Sequence, residues 1–118
     1  MILYETTVID MGTEVKAFAE KGMLVTFADK ALVTLKDYCY YIEKNSIHGD
    51  IKSAGKLTID GTEYAVTEVG DMVEDNLGTL GHVTILFQEG SSLPGSICVE
   101  KAETPVLKKG SRIQIFSE

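Results

Sequence analysis

Lys56-Leu57-Thr58-Ile59-Asp60-Gly61-Thr62-Glu63-Tyr64-Ala65-Val66 is the stretch on which the fold turns. Two β-rich segments flank an Asp-Gly pair. A two-residue type I′ turn needs positive φ at both central positions, which Asp-Gly tolerates better than most pairs. The spacing predicts a hairpin, its second arm running on to Val69 and ending at Gly70.

Downstream, Glu74 to Leu80 is polar, with Leu77 and Leu80 three apart, and reads as a short helical turn with one apolar side. Gly81 can take positive φ and end it. His82-Val83-Thr84-Ile85-Leu86-Phe87 then reads as a buried strand, which places His82 at a helix-to-strand corner. Gln88 to Gly95 is a loop, Ser96 to Glu100 a strand, Glu103 to Gly110 a loop, and Arg112 to Phe116 the last strand.

Upstream, Leu3 to Ile9 is a strand with its period of two loosely kept. Glu14 to Lys21 carries Val15 and Phe18 at helical spacing, and Gly22 can close that helix. Met23 to Phe27 is a second strand. Ala31 to Asp37 fits either a turn of helix or a loop. Tyr38 to Ile42 reads as a strand, Glu43 to Ser46 as a polar loop, and His48 follows beside Gly49. Many short strands at close spacing predict an all-β, antiparallel-rich barrel, closed or nearly closed, with one or two short helices. No internal repeat and no linker are visible, so residues 1–118 are expected to form one domain.

The 118 residues are enough for a core, and 44% hydrophobic with 25% charged residues is ordinary for a globular chain. Cys39 and Cys98 form no CxxC pair and no metal spacing with the histidines, so two thiols in a reducing cytoplasm are expected. The start, Met1 to Glu5, lacks the basic-then-apolar pattern of a signal peptide. A net charge of −7 argues against nucleic acid and suits steering toward a basic protein partner, although a solvated surface is its commoner meaning. Exposed edges at Met23–Phe27 or Tyr38–Ile42 are expected to pair with a second copy as a homodimer.

Residue types carry little chemistry alone. HExxH, P-loop, GxSxG and dinucleotide-binding glycine patterns are all missing. His48 and His82 are the two side chains able to titrate near neutral pH. Ser91-Ser92 has no base nearby in sequence. Asp71, Glu74 and Asp75 either complement the dipole of the helix that follows or orient His82, and the first is the commoner arrangement.

Val66-Thr67-Glu68-Val69-Gly70, Glu74-Asp75-Asn76-Leu77 and Leu80-Gly81-His82-Val83-Thr84 together resemble the glucitol/sorbitol-specific IIA component of the bacterial phosphoenolpyruvate-dependent sugar phosphotransferase system. Leu93-Pro94-Gly95-Ser96-Ile97, Gly110-Ser111 and Lys36-Asp37-Tyr38-Cys39 extend the resemblance over nearly the whole chain. It implies a small, mainly β cytoplasmic protein. Such a protein accepts a phosphoryl group from the histidine phosphocarrier HPr and passes it to the IIB unit of a IIB/IIC membrane permease. No metal or cofactor is implied.

The resemblance also carries a departure. The family's acceptor histidine lies three residues beyond the position of Cys39, and a gapless register puts Ile42 there. A register with a small gap brings Ile47-His48 onto the family's apolar–His pair. His82 matches the family's second histidine, whose imidazole either hydrogen-bonds a neighbouring phosphohistidine or holds the corner, and on composition alone holding the corner is the commoner role. The expected catalytic residues are therefore His48 and His82, with His48 first because it lies in a polar loop that a bulky donor can reach. The alternative is a non-catalytic relative that keeps the fold as a regulatory or interaction module.

Overall fold

The structure, a computed structural model, describes residues 1–29, 36–88, 90 and 93–118. Among them eight strands close a barrel: β1 (Ile2–Met11), β2 (Met23–Phe27), β3 (Tyr40–Ile42), β4 (Ala54–Ile59), β5 (Thr62–Val69), β6 (Val83–Leu86), β7 (Ser96–Val99) and β8 (Arg112–Ser117). Their order round the barrel is β1-β3-β2-β6-β7-β5-β4-β8, with β8 returning to β1. The helices are α1 (Val15–Ala19) and α2 (Val73–Leu80). All neighbours are antiparallel except β2–β3 and β6–β7. The predicted class is the one observed.

The Asp60-Gly61 hairpin forms as its residues require: Asp60 has φ 51° and Gly61 φ 86°, and Ile59 pairs with Thr62. The loose alternation in β1 has a cause. Its register against β8 shifts between Ile2 and Tyr4, so the neighbours Leu3 and Tyr4 are both buried. Leu24, Ile42, Leu57, Leu77, Ile85, Ile97 and Ile115 join them in the core, each burial worth about 1.5–3 kcal/mol.

Some boundaries differ from expectation. Residues 36–38 form a 3-10 turn rather than the start of a strand: the Tyr38 ring stacks on Phe18 at 4.9 Å, and Tyr41 Oη donates to the Lys36 carbonyl at 2.6 Å. The stretch 31–35 lies outside the described residues. Helix α1 tightens after Ala19, where Lys21 and Gly22 donate to carbonyls three residues back. The open edges expected at Met23–Phe27 and Tyr38–Ile42 are not there. Strand β2 lies between β3 and β6, and β3 between β1 and β2, because the barrel closes. No described helix is long and apolar enough to cross a membrane.

The expectation of no internal repeat is also corrected, at the level of the backbone. Exchanging β1–β4 with β5–β8 leaves the strand order unchanged. Each half runs strand, helix, strand, crossover to a parallel strand, then a fourth strand. Gly12 N–H donates to the Cys39 carbonyl and Glu14 N–H to that of Asp37; in the second half Gly70 donates to Ser96 and Met72 to Pro94. Gly22 and Gly81, both at positive φ, follow the two helices. The side chains of the two halves do not repeat, so the sequence does not show it.

Candidate functional site

Helix α2 turns Val73 and Leu77 inward and places Glu74 and Asp75 in its first turn, where carboxylates favour the helix dipole. It stops at Gly81, with φ 64° and ψ 22°. Gly81 N–H and His82 N–H close the last turn on the carbonyls of Leu77 and Asn76, both at 3.1 Å. A Cβ at Gly81 would stand 2.7 Å from that of Ala28, so only glycine fits. The chain leaves this corner as β6.

Strand β2 receives it. The ladder between β2 and β6 ends at Thr26 opposite Val83. Buried Thr26 Oγ1 donates to the Gly81 carbonyl at 2.9 Å and accepts from Val83 N–H at 3.3 Å. The Thr26 carbonyl lies 3.2 Å from His82 Nδ1. A carbonyl only accepts, so Nδ1 carries the proton, and in the neutral ring the lone pair belongs to Nε2. The imidazole lies on the Phe27 ring, centroids 4.1 Å apart and planes 16° apart. The half-buried His82 is thus held by one edge and one face.

The other half of the barrel has the same corner without this arrangement. Met23, which follows Gly22, stands where His82 does, opposite Leu86 in the β2–β6 ladder, and Ile85 corresponds to Thr26. An apolar trio closes that corner, so the fold does not demand a histidine.

His48 is exposed in the loop between β3 and β4. Its N–H donates to the Leu3 carbonyl at 2.7 Å. Beside it opens a cleft of about 400 Å³ lined by Ile2, Glu5, Asn45 and Ser46. Asn45 Nδ2 donates to the Glu5 carbonyl at 2.8 Å, while the Glu5 carboxylate accepts from Arg112 at 2.7 Å and Gln114 at 3.1 Å. Ile47 passes over α2, its Cδ1 3.8 Å from where a Cβ at Gly78 would be, about one helical turn before His82. No described hydrogen bond or ring contact joins the two histidines, and His82 does not line the His48 cleft.

Ile42 is 1% exposed and pairs with Val8 inside the barrel wall. Asp71 pairs with Lys52 at 2.7 Å, and the ammonium holds its carboxyl below the usual carboxylate range. The Thr26 backbone, not an acidic side chain, orients His82. Cys39 and Cys98 are buried thiols, and burial pushes Cys39 up. Ser91 and Ser92 lie outside the described residues. Among the described residues no cluster of three or more His, Cys, Asp or Glu side chains is placed to hold a metal ion. Thr26 and Phe27 were missed in the sequence, where they are two ordinary members of a strand; only the β2–β6 register brings them to His82.

The family model for the phosphotransferase system glucitol/sorbitol-specific IIA component matches residues 3–114. Glucitol/sorbitol-specific EIIA components from Shigella flexneri and Escherichia coli K12 are each 31% identical over 118 residues, spanning 98% of this chain and 96% of theirs. A crystal structure of a phosphotransferase system IIA component from Enterococcus faecalis V583 shares the fold, with a TM-score of 0.80 at 21% identity over 96% of this chain and 99% of that one. With its family matched from β1 into β8, the chain belongs to the glucitol/sorbitol-specific IIA components of the phosphotransferase system.

Proposed function

We propose that this chain is a cytoplasmic phosphoryl carrier in the uptake of a glucitol- or sorbitol-type sugar, taking the group from HPr on a histidine and handing it to IIB of a IIB/IIC permease. The observation that carries the proposal is the grip of β2 on His82: a single tautomer set by the Thr26 carbonyl, with Nε2 bonded to no described group. The Nε2 lone pair attacks phosphorus in line, and the donor's P–N bond breaks with its electron pair returning to the donor nitrogen. Passing the group to IIB reverses these roles.

His48 offers access and His82 offers orientation. The geometry favours His82 as acceptor, because a positioned nucleophile needs no search for its reactive tautomer. His48, exposed beside Gly49, stands second. One observation favours a non-catalytic module instead: the gapless acceptor position, Ile42, is sealed in the core. With closed sheet edges, a homodimer would form through side-chain faces rather than strand pairing.

Phosphoenolpyruvate, enzyme I and HPr should together place one acid-labile phosphate on the chain, seen by intact mass before and after mild acid. His82→Ala should abolish it and His48→Ala should spare it. The opposite pattern moves the acceptor to His48. No adduct from a donor that phosphorylates another family member in the same tube leaves the interaction module as the better reading.

A further inference from the structure

We infer that Phe27 is a positioning residue whose ring holds His82 against the Thr26 carbonyl and steadies the positive charge that the imidazole carries while phosphorylated. The inference rests on His82 being the acceptor.

When Nε2 forms its bond to phosphorus, the proton on Nδ1 has nowhere it must go. The hydrogen bond to the Thr26 carbonyl keeps it on Nδ1, so the ring becomes an N-phosphoryl imidazolium with one positive charge. Two neighbours answer that charge. The Nδ1–H bond to Thr26 becomes charge-assisted, and such bonds are roughly twice as strong as neutral ones. The face of Phe27, parallel to the ring at 4.1 Å, presents the negative side of its quadrupole. Both contacts exist in the resting protein and strengthen when the ring turns cationic, so they favour the loaded state over the neutral, empty one.

A plain covering role explains Phe27 less well. It follows Thr26 on the strand, so the Thr26 side chain points into the barrel while Phe27, on the opposite face, stays outside the buried core. In the equivalent corner an aliphatic residue, buried Leu86, stands opposite Met23. An aromatic ring is called for where an imidazole replaces methionine.

The test compares the wild type with Phe27→Leu, which keeps apolar bulk, and Phe27→Tyr, which keeps the π face. Nitrogen-15 spectra of unphosphorylated His82 report the share of the Nδ1–H tautomer. The equilibrium level of acid-labile phosphate against an HPr pool reports the loaded state. Phe27→Leu should mix the tautomers and shift the equilibrium toward HPr by about fivefold, and Phe27→Tyr should restore both. A Phe27→Leu protein with the wild-type tautomer share and phosphate level overturns the inference. Wild type that takes no phosphate defeats the acceptor reading, and the tautomer comparison then judges the positioning role by itself. If Phe27→Leu does not fold, Phe27→Met stands in its place under the same criteria.

Discussion

Gly70 lies so close to the carbonyl of Leu93 that a methyl group on its α-carbon would overlap it. The crossover between β6 and β7 is seated on bare backbone at this point. Gly70→Ala should cost about 1–3 kcal/mol in chemical denaturation, the range for overpacking a tight contact. Gly12→Ala, against the Asp37 carbonyl in the other half, should cost a similar amount. Gly61→Ala is the comparison: it has open space and φ 86°, so only the left-handed backbone is strained, at about 1–2 kcal/mol.

Restoring a histidine at the gapless acceptor position should fail. Ile42 faces the core, and His at that site would exchange apolar packing for a buried polar ring without a partner. Ile42→His should lose about 2–4 kcal/mol and gain no second acid-labile phosphate by intact mass. A stable, phosphorylated Ile42→His protein would place the acceptor in β3.

Thr26 ties three consecutive residues of the corner. Thr26→Val keeps the shape and the carbonyl facing His82 but leaves the Gly81 carbonyl without its donor. A loss of about 1–3 kcal/mol is expected, with Thr26→Ser recovering most of it in the same urea titration.

Burial raises Tyr4, Tyr40 and Tyr64 above the ordinary phenol value; at Tyr40 a hydrogen bond from Leu107 N–H partly offsets this. A raised folded-state value means that the unfolded chain loses its phenolic protons first as pH rises. Stability should therefore hold through neutral pH and fall above pH about 10. Phenolate absorbance should rise together with loss of the barrel's circular dichroism. Full ionisation of all five tyrosines in a folded protein would contradict the burial.

The legible parts of the sequence were those where short-range chemistry acts alone. Asp60-Gly61 fixed a turn, Gly81 stopped a helix, and Ile113 and Ile115 marked an inward face. Illegible were the relations that depend on distant pairing. Barrel closure pairs the edges expected to be open, and the β2–β6 register carries Thr26 and Phe27 to a histidine 56 residues away from Thr26. The repeat stayed hidden because hydrogen-bond geometry and glycine positions, rather than side-chain identity, preserve it.

The strand order has a consequence for how the protein comes apart. Strand β4 pairs with no strand of its own half: its ladder neighbours are β5 and β8. Strand β8 likewise rests on β1 and β4. Each half lends its fourth strand to the other, so neither half can be a stable subunit by itself. Unfolding should be a single cooperative transition without a half-folded intermediate, and two fragments cut between Asp60 and Gly61 should gain structure only when mixed.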